Sequence, residues 1–306
     1  MHTNGLKNGQ ANGRANDDAI GIIGLGLLGG AISQRLTELG HIVVGYDIDP
    51  QRRFALAADG VKVVSSGSEV VSFCNRVILS LPNSEIVSLV IDEVSAALRP
   101  GQYIVDTTTG EPESVTELAT DLALRDVNFL DATVAGSSSQ ARSGDVLLLV
   151  GAEPHSFEAC KALLGQLGRE VYHIGPPGAG AKLKLVHNLV LGLNRAVLAE
   201  GLSFARSLGL DPQRTLEVLS ASAAYSRVMD QKGQRMVSSN FEPEARLSQH
   251  LKDVRLMLDA GLVAGAHLPL CETHRALLEA SEAAGWGRMD NSAIIRAFET
   301  GAARPD

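Results

Sequence analysis

A glycine-rich turn near the N-terminus contains the first residues whose spacing could do chemistry. Gly24-Leu25-Gly26-Leu27-Leu28-Gly29 has the spacing G-x-G-x-x-G, with an apolar run before it and a helical pattern after it. The first glycine permits a tight turn, the second lets the backbone approach a pyrophosphate, and the third lets the helix pack closely on the strand. The N-terminus of that helix offers N–H donors and a positive dipole end to phosphate. The turn therefore predicts a bound dinucleotide.

Asp47 follows Gly24 by 23 positions and ends the second predicted strand. This spacing is close to the ~20 residues expected of the acidic residue that binds the adenosine ribose. A carboxylate there accepts hydrogen bonds from the ribose 2′-OH and repels a 2′-phosphate, so it favours NAD over NADP. Arg52 and Arg53 could instead reach a 2′-phosphate, and NADP stays possible. Solvated charges at the start of a helix are the preferred interpretation of these two arginines.

Lys184 and Asn188 are the second set of residues that could do chemistry. They are four positions apart in a strongly apolar helical pattern, so both side chains project from one helix face. Few purely structural roles explain a lysine in such a helix. One such role, an exposed lysine whose aliphatic stem covers apolar surface, fits Lys182 better than Lys184. Partial burial lowers the pKa of a lysine, which can then exchange a proton with a substrate hydroxyl while hydride moves to nicotinamide.

Strands that alternate with helices must position these residues in the N-terminal half. Short apolar runs predict the strands, and stretches such as 85–98 and 114–124 predict the helices between them. Gly40 ends the helix that follows the glycine turn. The alternation indicates an α/β fold with a parallel, doubly wound sheet of the Rossmann type. The predicted strands are 19–23, 41–46, 77–79, 103–105, 129–130, 146–150 and 171–174.

The pattern changes after Gly175-Pro176-Pro177-Gly178 and is helical from there on. The stretch 179–208 contains no proline and is apolar on every face, which predicts a long helix buried between two domains or two subunits. Asp211-Pro212 predicts the start of another helix. We therefore expect a flexible tail at 1–17, a dinucleotide-binding domain at 18–178 and an all-α substrate and oligomerisation domain at 179–306. The apolar stripes of the helical part favour a homodimer or homotetramer.

Together with the glycine turn, later segments resemble the β-hydroxyacid dehydrogenase family over about residues 20–300. This family includes 3-hydroxyisobutyrate dehydrogenase and tartronate semialdehyde reductase. The resemblance implies hydride transfer between NAD(P) and a small, carboxylate-bearing β-hydroxyacid or semialdehyde. The matching segments are 24–29 with Gly40-His41-Ile42-Val43, Leu81-Pro82-Asn83, Asp106-Thr107-Thr108-Thr109 with Pro112, residues 131–137, residues 178–188 and Lys252-Asp253.

The resemblance also assigns residues to the cofactor. By this likeness Leu81 and Pro82 border the adenosine and its ribose, and Thr109 lies near the nicotinamide end. Lys252 reaches back to the cleft, and Asp253 holds the local structure. Without the resemblance, the Lys252-Asp253 pair would be interpreted as a solvated surface feature.

A third part of the resemblance concerns the substrate. Residues 131–137 read D-A-T-V-A-G-S where the family has D-A-P-V-S-G-G, its loop for the substrate carboxylate. Ala135, Gly136 and Ser137 would bind that carboxylate through backbone N–H groups. Residues 178–188 resemble G-x-G-x-x-x-K-x-x-N-N, which implies that Lys184 is the general acid and base and that Asn188 orients the substrate. The first asparagine of that pattern is His187 here, for which packing is favoured over a substrate contact.

Two other functions stay open at this point. An imine reductase has the same architecture, but imine reductases replace the lysine, so Lys184 argues against an imine substrate. A non-catalytic dinucleotide sensor could share the fold, although it would not need Lys184 and Asn188. The chain has neither the Tyr-x-x-x-Lys of short-chain dehydrogenases nor the cysteine and histidine ligands of zinc alcohol dehydrogenases.

The composition argues against several kinds of partner and site. A net charge of −8 and a pI of about 5.5, with no basic cluster, disfavour nucleic acid. The sequence contains no uncharged apolar run of the ~18 residues that a membrane span needs, and no apolar signal segment at its start. Cys74, Cys160 and Cys271 lack C-x-x-C spacing, which predicts buried thiols in a reducing cytoplasm. Histidine spacing predicts no metal site.

Overall fold

The computed structural model describes residues 16–299, in which an eight-stranded sheet is followed by helices. The predicted tail lies outside the described residues except for its last two, with which the first strand begins. The strands are β1 Asn16–Ile23, β2 Ile42–Tyr46, β3 Lys62–Val63, β4 Cys74–Leu79, β5 Tyr103–Asp106, β6 Asn128–Ala135, β7 Leu147–Gly151 and β8 Glu170–Gly175.

Helices connect these strands and then continue alone. Those of the sheet region are α1 Leu27–Glu38, α2 Pro50–Ala58, α3 Gly67–Phe73, α4 Ser84–Val94, α5 Pro112–Ala123, α6 Ser138–Ser143 and α7 Pro154–Leu167. Those that follow are α8 Ala179–Ser207, α9 Pro212–Ser220, α10 Gln234–Val237, α11 Leu247–Val263, α12 Pro269–Ser281 and α13 Arg296–Glu299. A π-helical turn at Met229–Gly233 precedes α10, and a 3-10 helix at Asn291–Ile295 precedes α13.

The sheet has the strand order β3-β2-β1-β4-β5-β6-β7-β8. Strands β1 to β6 are parallel, so the predicted doubly wound sheet is confirmed for this part. The prediction was wrong for β7, which is antiparallel to β6, and β8 follows the direction of β7. Only residues 136–146 join β6 to β7, and a parallel return needs a crossover of about a dozen residues or more.

The sheet is buried on both faces. Successive side chains of a strand point to opposite faces, so Ile22 joins one apolar core and Ile23 the other. Helices α1, α6 and α7 contribute to the first core, and α3, α4 and α5 to the second. Cys74, Cys160 and Cys271 are free and buried, as predicted. This packing fixes the carboxyl ends of the parallel strands along one sheet edge.

Helix α8 leads from the sheet into the helical part. Its 29 residues span about 43 Å. Its first turns contact β6 and β7, and its later turns pack against α11 and α12 around a third apolar core. The expectation of a helix buried on every face is only partly met, because Val186, Val190, Val197 and Phe204 are 52–68% exposed in the single chain. A homodimer or homotetramer, and the division of the chain into domains at residue 178, stay predictions. None of the described helices is long and apolar enough to cross a membrane.

Candidate active site

The glycine turn lies between the carboxyl end of β1 and the start of α1, as predicted. Gly24 has a φ of +94°, and a Cβ there would come within 2.3 Å of the Ser80 carbonyl oxygen. A Cβ on Gly29 would lie 1.9 Å from the Gly24 carbonyl oxygen, so no side chain fits at either position. At Gly26 an added Cβ would meet only the flexible Arg52 Nη1, at 3.4 Å. The turn is therefore closed towards the protein and open at Gly26, as an approaching pyrophosphate requires.

Asp47 holds this turn in place, a role that the spacing alone did not predict. The backbone N–H of Leu25 donates to Asp47 Oδ2 at 2.7 Å, and the N–H of Asp49 donates to Oδ1 at 2.8 Å. The carboxylate is 5% exposed. Since each carboxylate oxygen accepts more than one hydrogen bond, capacity for a ribose hydroxyl remains. The binding of the ribose by Asp47 stays a prediction.

Arg52 and Arg53 contact the same corner of the molecule. Arg52 Nη1 lies 3.4 Å from Asp47 Oδ2, and Arg53 Nη1 donates to the Asp47 carbonyl at 3.0 Å. The Arg53 guanidinium also lies 5.5 Å from the centroid of the Tyr46 ring. The interpretation of both as merely solvated charges is therefore incomplete, because both contact Asp47, the residue predicted to bind the ribose.

Lys252 joins the two loops that the resemblance assigns to the cofactor. From α11 its Nζ donates to the Pro82 carbonyl at 3.0 Å and to the Thr109 carbonyl at 2.9 Å. Leu81 donates its backbone N–H to Thr108 Oγ1 at 3.1 Å, which ties the loop after β4 to the loop after β5. The helical part and the sheet edge thus meet through this lysine, although 170 positions separate Lys252 from Pro82.

Lys184 lies at the other end of this edge, buried on α8. Its Nζ donates to the Val134 carbonyl at 2.6 Å. Burial lowers the pKa of Lys184 to about 8, against the opposing effect of the Asp253 carboxylate. Desolvation disfavours the ammonium, so a neutral amine is accessible near neutral pH.

A cavity of about 560 Å³ contains the predicted catalytic and substrate residues. Ala135, Gly136, Ser137, Lys184 and Asn188 all line it, and Thr109 connects it to the cofactor loops. The glycine turn and Asp47 do not line the cavity; they lie beyond Thr109 at the carboxyl ends of β1 and β2. The predicted site residues thus form two groups along one sheet edge.

The segment 131–137 is not the continuous loop that was expected. Residues up to Ala135 belong to β6, and the chain leaves the sheet at Gly136. Ser137 is the N-cap of α6 and accepts a hydrogen bond from the Gln140 backbone N–H at 3.2 Å. A Cβ on Gly136 would lie 2.5 Å from Val146 Cγ1, so the backbone itself faces the cavity without a side chain.

Asn188 and His187 form a connected polar group beside Lys184. Asn188 Nδ2 donates to Asp253 Oδ2 at 3.0 Å, and His187 Nδ1 lies 3.0 Å from Asn188 Oδ1. Burial and the nearby Lys184 lower the pKa of His187, which favours its neutral form. The sequence favoured packing for His187, but its side chain is half-buried and lines the same cavity.

Two buried charged residues escaped the sequence reasoning. Asp131 accepts hydrogen bonds from the N–H groups of Gly178 at 2.8 Å and Ala181 at 2.6 Å, and so fixes the start of α8 against β6. Arg195 lines the cavity from the same helix and is 4% exposed. An acidic residue between two apolar strand positions signals such a buried clamp, whereas nothing local distinguishes Arg195 from a surface arginine.

Comparison with known proteins identifies the family. The family profile described as the NAD binding domain of 6-phosphogluconate dehydrogenase matches residues 19–175. A second profile, described as the NAD-binding of NADP-dependent 3-hydroxyisobutyrate dehydrogenase, matches residues 178–298. Both profiles concern NAD(P)-dependent dehydrogenases, in agreement with the glycine turn.

Individual relatives agree with the profiles. The chain is 32% identical to 2-(hydroxymethyl)glutarate dehydrogenase of Eubacterium barkeri, over 92% of this chain and 94% of that protein. It is 28% identical to the human cytokine-like nuclear factor N-PAC, over 92% of this chain but only 52% of that longer protein. The structure of Mycobacterium tuberculosis 3-hydroxyisobutyrate dehydrogenase with L-serine superposes with a TM-score of 0.85 at 27% identity, covering 93% of this chain and all of that one. The chain therefore belongs to the β-hydroxyacid dehydrogenase family and is an NAD(P)-dependent dehydrogenase of CH–OH groups.

Proposed function

We propose that the protein oxidises a small β-hydroxyacid, or reduces the matching semialdehyde, with Lys184 as general acid and base. The observation that carries this proposal is the position of Lys184 Nζ, buried against the Val134 carbonyl in a cavity shared with Thr109 and residues 135–137. The hydroxyacids in the names of two relatives, 2-(hydroxymethyl)glutarate and 3-hydroxyisobutyrate, belong to this class of substrate.

Lys184 would exchange the proton. In oxidation its neutral amine accepts the proton of the substrate hydroxyl, and in reduction its ammonium donates that proton back. A pKa of about 8 supports both directions because neither form is rare near neutral pH. The Val134 carbonyl accepts one N–H of the amine at 2.6 Å and so sets the direction in which the lone pair points.

Residues 135–137 and Asn188 would bind and orient the substrate. Ser137 Oγ is engaged with the Gln140 N–H and with Ser139 Oγ, so backbone N–H groups are the better donors for a carboxylate. Asn188 is held through both ends of its amide, by Asp253 and by His187. A side chain fixed in this way can orient a hydroxyl without changing its charge.

The cofactor would lie along the carboxyl ends of β1, β2, β4 and β5. The open position at Gly26 fits a pyrophosphate, and Asp47, Leu81 and Pro82 border the adenosine end. Thr109 and Lys252 would stand nearer the nicotinamide. When bound, NAD(P) would supply the hydride acceptor in oxidation and, in its reduced form, the hydride donor in reduction. Asp47 supports a preference for NAD.

A substrate panel tests the proposed function and separates it from the two other candidates. Turnover of β-hydroxyacids or semialdehydes should be measured with NAD and NADP in parallel, for wild type and Lys184→Ala. We expect wild-type turnover and a loss of about 10²- to 10⁴-fold in the variant. Binding of NADH without turnover would favour a sensor, turnover of imines alone would favour an imine reductase, and full kcat in Lys184→Ala would exclude the lysine as the acid.

A further inference from the structure

Arg195 is a buried cation whose Nη2 has no hydrogen-bond partner among residues 16–299. Its side chain is 4% exposed. The carboxylates that act on it through space, Asp253 and Asp290, are engaged elsewhere. Asp253 Oδ2 accepts from Asn188 at 3.0 Å, and Asp290 Oδ2 lies 2.9 Å from Lys232 Nζ. A buried guanidinium that lacks a contact ion pair is costly in free energy unless a ligand supplies the anion.

Other unpartnered polar atoms lie on the same cavity wall. Asn291 Oδ1 and His250 Nε2 are buried and have no hydrogen-bond partner in the described part of the chain. Both residues line the cavity together with Arg195. Native proteins satisfy more than about 90% of their buried polar groups. With Asp253 Oδ1, which is also buried and has no hydrogen-bond partner in the described part of the chain, four such atoms belong to residues that line this cavity. The guanidinium donor among them indicates an anionic ligand, and rotation of the Asn291 amide would present a second donor to it.

The position of Arg195 on α8 relates this wall to the proposed reaction centre. Lys184, Asn188 and Arg195 are at positions i, i+4 and i+11, which is close to three full turns, so they share one helix face. Helical side chains lean towards the N-terminus, which brings the Arg195 guanidinium back towards Asn188. Asp253 interacts electrostatically with both Lys184 and Arg195. The cavity therefore has a reacting end at Lys184 and a cationic end at Arg195.

The charges around the cavity leave this end positive. Arg227 and Arg246 also line the cavity, and neither side chain has a hydrogen-bond or ion-pair partner among residues 16–299. Of the acidic lining residues, Asp145 is paired with Arg169, and Glu244 with Lys232 and Arg235. The remaining one, Asp253, accepts from Asn188 through Oδ2 and lies 3.9 Å from Lys252 Nζ through Oδ1. Three arginines, Arg195, Arg227 and Arg246, therefore share this single carboxylate.

We infer that the Arg195 end of the cavity binds a second carboxylate of the substrate, so that the protein acts on a dicarboxylic β-hydroxyacid. The planar guanidinium matches a carboxylate through two parallel N–H···O bonds. Arg227 and Arg246 add positive potential on the wall of the cavity and attract the dianion. This inference rests on the proposed function, because it takes Lys184 as the reacting end.

The first test uses the wild-type protein and substrates that differ only at the distal end. kcat/KM is measured for 2-(hydroxymethyl)glutarate, for its analogue with the distal carboxylate replaced by an amide, and for 3-hydroxyisobutyrate. We expect the dicarboxylate to exceed the amide by about 10- to 100-fold, mainly through KM. Equal kcat/KM for the dicarboxylate and the amide would overturn the inference and leave the proposed function intact. Turnover of none of the three would remove the proposed function and this inference with it.

Variants of Arg195 locate the effect. Arg195→Gln should reduce the ratio of dicarboxylate to amide kcat/KM to near one, and Arg195→Lys should keep part of it. Lys182→Gln is the matched control, since it removes a charge from an exposed position of the same helix and should leave the ratio unchanged. An unchanged ratio in folded Arg195→Gln would contradict the inference. If that variant does not fold, the wild-type comparison still decides.

Discussion

The side-chain nitrogen of Asn188 donates a 3.0 Å hydrogen bond to Oδ2 of Asp253 and thereby connects helix α8 to helix α11. Lys252, the residue before Asp253, binds the carbonyls of Pro82 and Thr109. These adjacent residues of α11 thus face the two ends of the site. Asp253 faces the proposed substrate side, and Lys252 faces the loops proposed for the cofactor. Through them α11 connects the helix of the proposed proton donor to the loops of the proposed nicotinamide site.

This relationship predicts that Asp253 opposes the effect of burial and keeps the pKa of Lys184 higher than it would otherwise be. The Asp253 carboxylate favours the lysine ammonium, so Asp253→Asn should lower the pKa of Lys184 below its wild-type value of about 8. The midpoint of the rise in kcat/KM for oxidation should therefore move to lower pH. Profiles of kcat/KM against pH test this, with Asp259→Asn, an exposed position of the same helix, as control. A midpoint that stays in place or rises would show that Asp253 has only a structural role.

The wild-type pH profile should differ between the two directions of the reaction. Oxidation requires the neutral amine of Lys184, so its rate should rise with pH through about 8. Reduction requires the ammonium and should fall over the same range. Initial rates in both directions, measured between pH 6 and about 10, would reveal this opposition. If the rates of oxidation and reduction instead had the same pH optimum and changed with pH in the same direction, another group would exchange the proton.

Burial of Lys184 should also reduce the stability of the fold. The pKa of Lys184 is about 8 in the folded chain, and the ordinary pKa of a lysine is 10.5, so the unfolded chain binds more protons than the folded one between these pH values. Stability should accordingly rise with pH in that window and be lowest below it, where both states carry the ammonium. At pH 7, Lys184→Met should raise the free energy of unfolding by about 1–3 kcal/mol while it removes turnover.

Chemical denaturation of Lys184→Met at pH 7 and again at high pH measures this effect. The gain over wild type should shrink as the lysine of the unfolded chain loses its proton. Lys182→Met, at an exposed position, is the control and should change stability little. A loss of stability in Lys184→Met at pH 7 would indicate that the bond to Val134 outweighs the cost of burying the ammonium.

The parts of the site that depend on local spacing could be predicted from the sequence. The glycine turn and Asp47 follow from the order of strand, turn and helix, and Lys184 and Asn188 share a helix face because four residues make about one turn. The direction of β7 could not be predicted from apolar runs, which do not record direction. The predicted strands 129–130 and 146–150 left 15 residues between them, so the short connection that excludes a parallel return became apparent only when β6 proved to run to Ala135.

Contacts between distant segments were the harder part. Lys252 was placed at the cofactor loops only by resemblance, since nothing near it in the sequence refers to Pro82 or Thr109. The two hydrogen bonds that Asp131 accepts from the start of α8 come from residues 47 and 50 positions later in the sequence. In the sequence, Arg195 cannot be distinguished from an exposed arginine of a helix, because its burial depends on distant segments that pack against α8. Burial of a charge is a property of the assembled fold, and the roles proposed for Lys184 and Arg195 rest on this burial.

The glycine turn allows a prediction that separates folding from cofactor binding. Gly24→Ala and Gly29→Ala would place a Cβ 2.3 Å and 1.9 Å from backbone oxygens, so we expect a loss of stability as well as of NADH binding. Gly26→Ala would meet only the flexible Arg52 at 3.4 Å and should fold normally. It should still weaken NADH binding about tenfold or more, because the methyl group occupies the approach of the pyrophosphate. Thermal unfolding and NADH fluorescence titration measure the two effects.

The preference for NAD should depend on the charge of Asp47. Asp47→Asn keeps an acceptor for one backbone N–H but removes the repulsion of a 2′-phosphate, and Arg52 would be released from its ion pair. The ratio of NADPH to NADH affinity should increase about tenfold, with a moderate loss of stability because one turn contact weakens. Dissociation constants for both cofactors are compared in wild type, Asp47→Asn and Asp59→Asn, an exposed position at the other end of α2. If Asp47→Asn lowers both affinities equally, Asp47 serves only to hold the glycine turn, and the choice between the cofactors lies with Arg52 and Arg53.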